Sequence, residues 1–189
     1  MPDEMSPAAS DEFGVNLSEM VPKLRAFAIS LCRNRTLADD LVQETLIKAW
    51  SARNRFEPGT NLSAWLHTIL RNHFYTVIRN NRRSVEDPDG KMAATLATKP
   101  AQDGMIEHRD LGRALHKLPD EQREALILAG AGGFSYEQVA EITGCAVGTV
   151  KSRIHRARAT LATLMDRDIP LTNASGNVPT TETSTSSLR

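Results

Sequence analysis

An all-α fold of two small helical domains joined by a flexible linker is what this sequence predicts. Apolar residues recur at helical spacing in every patterned stretch, and no strand-like alternation of useful length occurs. The pattern stops between residues 85 and 104, where Asp87, Pro88, Asp89 and Gly90 form a strong turn signal and Pro100 follows. The 189 residues suffice for two small domains, and 40% apolar with 24% charged residues is ordinary for a soluble globular protein. The expected organisation is a disordered N-terminus (1–16), a first helical domain (17–84), a linker (85–104), a second helical domain (105–167) and a disordered Thr/Ser-rich tail (168–189).

In chain order, residues 1–16 are polar, acidic and Pro/Ser-bearing, hence the expectation of disorder. From Ala38 to Ala52 a helix is predicted by Leu41, Thr45, Leu46 and Ala49, and Pro58-Gly59 breaks it. Asn61 suits the N-cap of a helix carrying the broad apolar stripe Leu62, Trp65, Leu66, Ile69, Leu70, Phe74, Val77 and Ile78. Beyond the linker, helical pattern resumes near Met105 and runs through Leu111, Leu115 and Leu118. Pro119 stands where a first helical residue would, and Asp120 and Glu121 suit a helix N-terminus. Gly130, Gly132 and Gly133 end that helix.

The formal net charge is zero, with 23 bases and 23 acids, but the charges are segregated. Residues 1–16 hold four acids and no base, whereas residues 17–85 hold eleven bases against five acids. A second basic cluster, Lys151, Arg153, Arg156 and Arg158, lies in the other domain. Two separated basic surfaces point to two contacts with a polyanion, the plain alternative being two solvated helix faces. Cys32 and Cys145 are far apart and follow no metal-ligand pattern, so no disulfide framework or metal site is expected and a cytoplasmic location is the simplest. No apolar run of about 18 residues or more exists to span a membrane, and no secretory signal opens the chain. The five histidines are scattered and no paired-carboxylate constellation is present, so neither enzyme nor cofactor is expected.

The most specific motif lies between Phe134 and Leu164. Ser135 and Gln138 make a capping-box pattern, Val139, Ala140 and Ile142 form the inner face of a short helix, and Gly144 supplies the left-handed turn. A second helix from about Val147 buries Val150, Ile154, Ala157 and Leu161, spaced 4, 3 and 4. Its outer face presents Thr149, Lys151, Ser152, Arg153, His155, Arg156 and Arg158. This is a helix-turn-helix with a basic recognition helix, in which Arg can fork onto guanine while Ser, Thr and Lys reach phosphates. In the first domain, Trp65, Phe74 and Tyr75 stand among Arg71, Asn72, His73, Arg79, Asn80 and Asn81, a mixture suited to opened or single-stranded DNA. Core packing accounts for Trp65 and Phe74 more simply than stacking does, whereas Asn72 interrupts the apolar stripe and is the better base contact. Asp39, Asp40, Gln43 and Glu44 form a polar face that is either solvated or a docking surface.

These stretches resemble the bacterial sigma-70 family. Ala38–Trp50 (ADDLVQETLIKAW) and Asn61–Asn72 (NLSAWLHTILRN) are similar to its region 2. Leu118–Leu126, Phe134–Ile142 and Val147–Arg158 are similar to its region 4. Two domains with a short linker resemble the extracytoplasmic function (ECF) subgroup, and Gly130–Glu137 with Gly144–Arg153 resembles the EcfG type, the general-stress factors of alphaproteobacteria. The resemblance implies a factor that binds core RNA polymerase, through the β′ clamp helices and the β flap, and directs promoter-specific initiation. It implies clamp-helix contacts for Asp40, Gln43 and Glu44. It implies a −10 base pocket from the loop at Glu57–Asn61, including Gly59 and Asn61, with Phe56 and Asn72, and strand contacts for Arg71, Arg79, Arg82 and Arg83. It implies −35 contacts for Thr149, Lys151, Ser152, Arg153, His155 and Arg156, of which His155 is the least constrained. It also implies control by an anti-sigma protein, NepR-like for the EcfG type. The rival readings are a stand-alone helix-turn-helix regulator, which leaves the Asp39–Lys48 face without purpose, and a sigma mimic that sequesters an anti-sigma factor, which needs no basic recognition face.

Overall fold

The computed structural model describes residues 7–85 and 106–168, with side chains described for 10–81 and 111–165. Among the described residues seven α-helices form: α1 (Pro7–Cys32), α2 (Arg35–Ser51), α3 (Leu62–Val85), α4 (Ile106–Lys117), α5 (Asp120–Gly130), α6 (Tyr136–Thr143) and α7 (Val147–Asp168), with a 3₁₀ turn at Arg53–Arg55 after α2. No strand occurs among the described residues.

Helices α1, α2 and α3 pack as one bundle. Its interior is Leu24, Phe27, Ala28 and Leu31 from α1, Ala38, Leu41 and Ala49 from α2, and Leu66, Leu70 and Phe74 from α3. Ala28, Ala38 and Ala49 are completely buried, and their small side chains let the helix axes approach. Asn34 caps α2 by accepting the Leu37 amide at 3.0 Å. Asn61, as expected, accepts the Ala64 amide at 3.1 Å at the start of α3. The hydroxyl of the buried Thr45 donates to the Leu41 carbonyl at 2.7 Å, which satisfies a polar atom inside the apolar stripe.

The first sixteen residues depart from the expectation of disorder. From Pro7 onward they are the first turns of α1, and only residues 1–6 lie outside the described residues. Phe13 and Leu17 are only 5% and 6% exposed. The Phe13 ring lies 6.3 Å from Trp50, 5.8 Å from Phe56 and 6.5 Å from Trp65 between centroids. A single phenylalanine among acids and serines carries little periodicity, but it seals an aromatic cluster contributed by three other segments. The linker expected at 85–104 lies outside the described residues apart from Val85, which ends α3. The tail expected at 168–189 lies outside them apart from Asp168, which ends α7.

Helices α4 to α7 form the second unit, with α7 packed on α4, α5 and α6. Pro119 is the residue before α5 rather than its first residue, and its carbonyl accepts the Arg123 amide at 2.9 Å. At the far end of α5 two glycines differ in surroundings. A Cβ on Gly132 would meet the Leu128 carbonyl oxygen at 2.6 Å and the Phe134 ring at 2.9 Å, whereas one on Gly130 would meet nothing within 4 Å. Gly132→Ala is therefore expected to destabilise by about 1–3 kcal/mol, the usual cost of forcing extra volume into a packed site. Gly130→Ala should be neutral or stabilising by up to about 1 kcal/mol. Paired urea melts check this, and equal midpoints for the two variants would remove the steric argument.

Candidate polymerase and nucleic-acid surfaces

On α2, burying Leu41, Thr45 and Ala49 turns the opposite side outward. Asp40 and Gln43 are exposed and Glu44 is half-buried, held only by a surface bridge to Lys48 at 3.5 Å. Two large apolar residues share this face, Ile47 at 60% and Trp50 at 42% exposure. Sequence reasoning missed them as surface residues, although the spacing 40, 43, 47, 50 puts them on the face of Asp40 and Gln43. An exposed apolar pair rimmed by acids and polar groups has the chemistry that a protein-binding surface uses.

The −10 candidates fall into three groups. Gly59 is exposed with φ +89° in the loop between the 3₁₀ turn and α3, and Asn61 is exposed while its side chain caps α3. The half-buried Phe56 packs on Trp65 at 5.4 Å, so its ring belongs to the aromatic cluster. Phe74 is buried in the core and Trp65 is half-buried in that cluster. Asn72 is exposed and lines a groove of about 420 Å³ with Lys48, Arg55, Trp65, His73 and Thr76. The Lys48 ammonium donates to His73 Nδ1 at 2.8 Å, and burial together with the Lys48 charge pushes the His73 pKa down, favouring the neutral ring. Lys48 and His73 are 25 residues apart on different helices, so only the packing of α2 on α3 joins them. Arg79 is exposed one turn and more beyond this groove. Arg82 and Arg83 lie in the last turns of α3, with side chains outside the described ones. Arg71 stands apart: its Nε donates to Glu124 of α5 at 2.7 Å.

The helix-turn-helix is built by local chemistry. The Ser135 hydroxyl accepts the Gln138 amide at 3.2 Å and the Gln138 side chain accepts the Ser135 amide at 3.0 Å, closing the capping box. Gly144 ends α6 at φ +67°, a left-handed backbone that a side chain would strain. Helix α7 then buries Val150, Ile154 and Ala157, which leaves Lys151, His155, Arg156 and Arg158 exposed on its outer side. Thr149 and Ser152 are half-buried, and the Ser152 hydroxyl donates to the Thr149 carbonyl at 2.9 Å. Arg153 is only 19% exposed in its side chain, pairs with Glu121 at the start of α5 and approaches Cys145 Sγ at 3.5 Å. Among the described residues no cluster of potential metal ligands occurs, and no helix is long and apolar enough to cross a membrane.

A polar face with two exposed apolar residues, a basic groove beside an exposed loop, and a capped helix-turn-helix thus follow one another along the chain. The family profile for Sigma-70 region 2 matches residues 17–84, and that for Sigma-70, region 4, matches residues 108–161. The chain belongs to the sigma-70 family. The ECF RNA polymerase sigma factor EcfG of Rhodopseudomonas palustris is 54% identical over 156 residues, 82% of this chain and 86% of that protein. The RNA polymerase sigma factor CarQ of Myxococcus xanthus is 31% identical over 83% of this chain and 91% of its own length. Among solved structures, the sigma factor RpoE of Bartonella quintana in complex with the anti-sigma factor NepR matches with a TM-score of 0.73 and 51% identity, covering 83% of this chain and 98% of that one. This sigma factor is therefore of the ECF group and similar to its EcfG type. It binds core RNA polymerase and promoter DNA and directs transcription initiation. Its region 2 is the bundle α1–α3 and its region 4 the unit α4–α7.

Proposed function

We propose that this sigma factor docks on the polymerase through the α2 face of Asp40, Gln43 and Glu44, with Ile47 and Trp50 as its apolar centre. It reads the −35 element with the outer face of α7, and captures an unstacked −10 base at the groove of Asn72 beside the loop of Gly59 and Asn61. Arg79, Arg82 and Arg83 hold the opened strand in this reading, and so does Arg71 once it is free of Glu124. The chain itself carries out no bond chemistry; nucleotide transfer belongs to the polymerase, and the protein acts in the cytoplasm. Base capture offsets the unstacking cost of a few kcal/mol that promoter opening requires. Control by a NepR-like anti-sigma protein in a general stress response is supported by the similarity to the NepR-bound sigma factor and to EcfG.

The observation that carries the reading is the helix-turn-helix, whose buried stripe leaves Lys151, His155 and Arg156 exposed together on one side of α7. Run-off transcription from a stress-type promoter with core polymerase tests it. Transcripts that require both components support the assignment, whereas tight duplex binding by the protein alone without transcription reverts it to a stand-alone regulator. Within the −35 surface, Arg156→Ala is expected to weaken binding by about 1–3 kcal/mol, the worth of one bidentate arginine–guanine contact. Arg153→Ala should weaken it less, because Glu121 already holds that guanidinium. Band-shift titration of the reconstituted holoenzyme ranks the two, and the opposite order would reassign the base-reading role to Arg153.

A further inference from the structure

The groove beside Asn72 holds a hydrogen-bonding group that none of the binding roles above uses. The half-buried His73 lines it with Asn72, Arg55, Trp65, Ile69 and Lys48. Trp65 and Ile69 supply apolar wall, Asn72 an amide that both donates and accepts, and Arg55 a cation. That combination suits a nucleotide, which is a flat ring with a polar edge and a phosphate attached.

The chemistry of the His73 ring is fixed from the neighbouring helix. Lys48 Nζ on α2 lies 2.8 Å from His73 Nδ1 on α3. An ammonium carries donors and no acceptor, so Nδ1 is the accepting, unprotonated nitrogen. A protonated ring would set donor against donor and cation against cation at this contact, so the ring is neutral. Burial and the Lys48 charge push its pKa down in the same sense. The one ring proton therefore sits on Nε2, and a ligand that reaches this nitrogen meets a donor. Left to itself, a neutral imidazole exchanges between two tautomers, and the bond made by one nitrogen decides which of them forms. Lys48 is itself held by Glu44, one turn earlier on α2, at 3.5 Å. Glu44, Lys48 and His73 thus form a chain across two helices that gives the ring a single tautomer.

We propose that His73 is a specificity-determining residue for the −10 element, its Nε2–H donating to a carbonyl oxygen or ring nitrogen of a base in the groove, and that Lys48 is the positioning residue that fixes this tautomer. The proposal rests on the assignment of the Asn72 groove to the −10 base. Selection works by rejection: a base that presents an amino group to Nε2–H leaves two donors unpaired. Phosphate is left to Arg55, whose charge a neutral imidazole lacks. Proton–nitrogen correlation spectra of the isotope-labelled full-length protein read the ring directly. The proton is expected on Nε2; Lys48→Met should let the two tautomers mix, and Lys48→Arg should restore the wild-type pattern. Holoenzyme reconstituted with core polymerase is then tested on promoters carrying each base at each −10 position, with run-off yield as the readout. His73→Phe keeps a ring and loses the donor. It should flatten the base preference at one position by about 2- to 10-fold, the worth of one hydrogen bond, and leave the other positions as they were. Lys48→Met should flatten the same position by less, and should add nothing there to His73→Phe. Co-elution with core polymerase controls for docking through α2. A wild-type ring protonated on Nδ1 overturns the proposal. So does a His73→Phe variant that lowers every promoter alike, the signature of a backbone contact or a packing residue. Should His73→Phe fail to fold, His73→Gln, whose amide keeps a donor, and Lys48→Met decide: the first should retain part of the preference and the second flatten it, and the reverse order overturns the proposal. Normal opening by Asn72→Ala would remove the groove assignment and this proposal with it, whereas impaired opening by Asn72→Ala with an unaltered preference in His73→Phe overturns the proposal alone.

Discussion

Replacing Asp40 and Glu44 together by lysine is expected to lower the affinity of this sigma factor for core RNA polymerase by at least about 100-fold, because placing like charges across a complementary interface costs several kcal/mol. The structure isolates the effect from folding. Asp40 is exposed, and Glu44 makes only the surface bridge to Lys48, an interaction worth about 0–1 kcal/mol. The buried stripe of the same helix, Ala38, Leu41, Thr45 and Ala49, faces away from both positions. Size-exclusion co-elution with core polymerase, with far-UV circular dichroism as the folding control, measures the outcome. A double variant that still co-elutes stoichiometrically would remove Asp40 and Glu44 from the docking surface and leave Ile47 and Trp50 to carry it.

Asn72→Ala is expected to reduce open-complex yield by about 5- to 100-fold, the range spanned by one lost pair of base-edge hydrogen bonds, while closed-complex binding stays close to normal. Asn72 is exposed on α3, and its neighbours around the groove, Arg55, Trp65 and His73, supply charge and an apolar wall. Its backbone carbonyl accepts the Thr76 hydroxyl at 2.8 Å, a bond that the side-chain change leaves in place, so α3 stays intact. Permanganate reactivity of unpaired thymines reports opening, and band shift at low temperature reports the closed complex. Normal permanganate reactivity would take Asn72 out of the base pocket; an equal loss of both complexes would make it a general DNA contact.

The helix-turn-helix was legible because every part of it is local. A capping box, a left-handed glycine and a stripe spaced 4, 3 and 4 each depend on residues within a few positions of one another, and Ser135, Gly144, Val150 and Ile154 behave in the structure as that spacing requires. The polar part of the α2 face, Asp40, Gln43 and Glu44, was legible for the same reason, since burial of one side of a single helix dictates what the other side exposes. Phe13 was not, because its partners Trp50, Phe56 and Trp65 come from later segments and its own neighbours are polar. The groove of Lys48, Asn72 and His73 likewise depends on how α2 lies on α3.

By itself the sequence determined an all-helical chain, its two regions and the family they belong to, because helical period, caps and turn residues are written at short range. Tertiary structure alone decided that α1 begins at Pro7, that Phe56 packs inward, and that Arg71 and Arg153 are drawn onto Glu124 and Glu121. An arginine on a basic helix reads the same whether it awaits a phosphate or is already paired. Its partner Glu124 lies 53 positions away, and no local spacing carries that information.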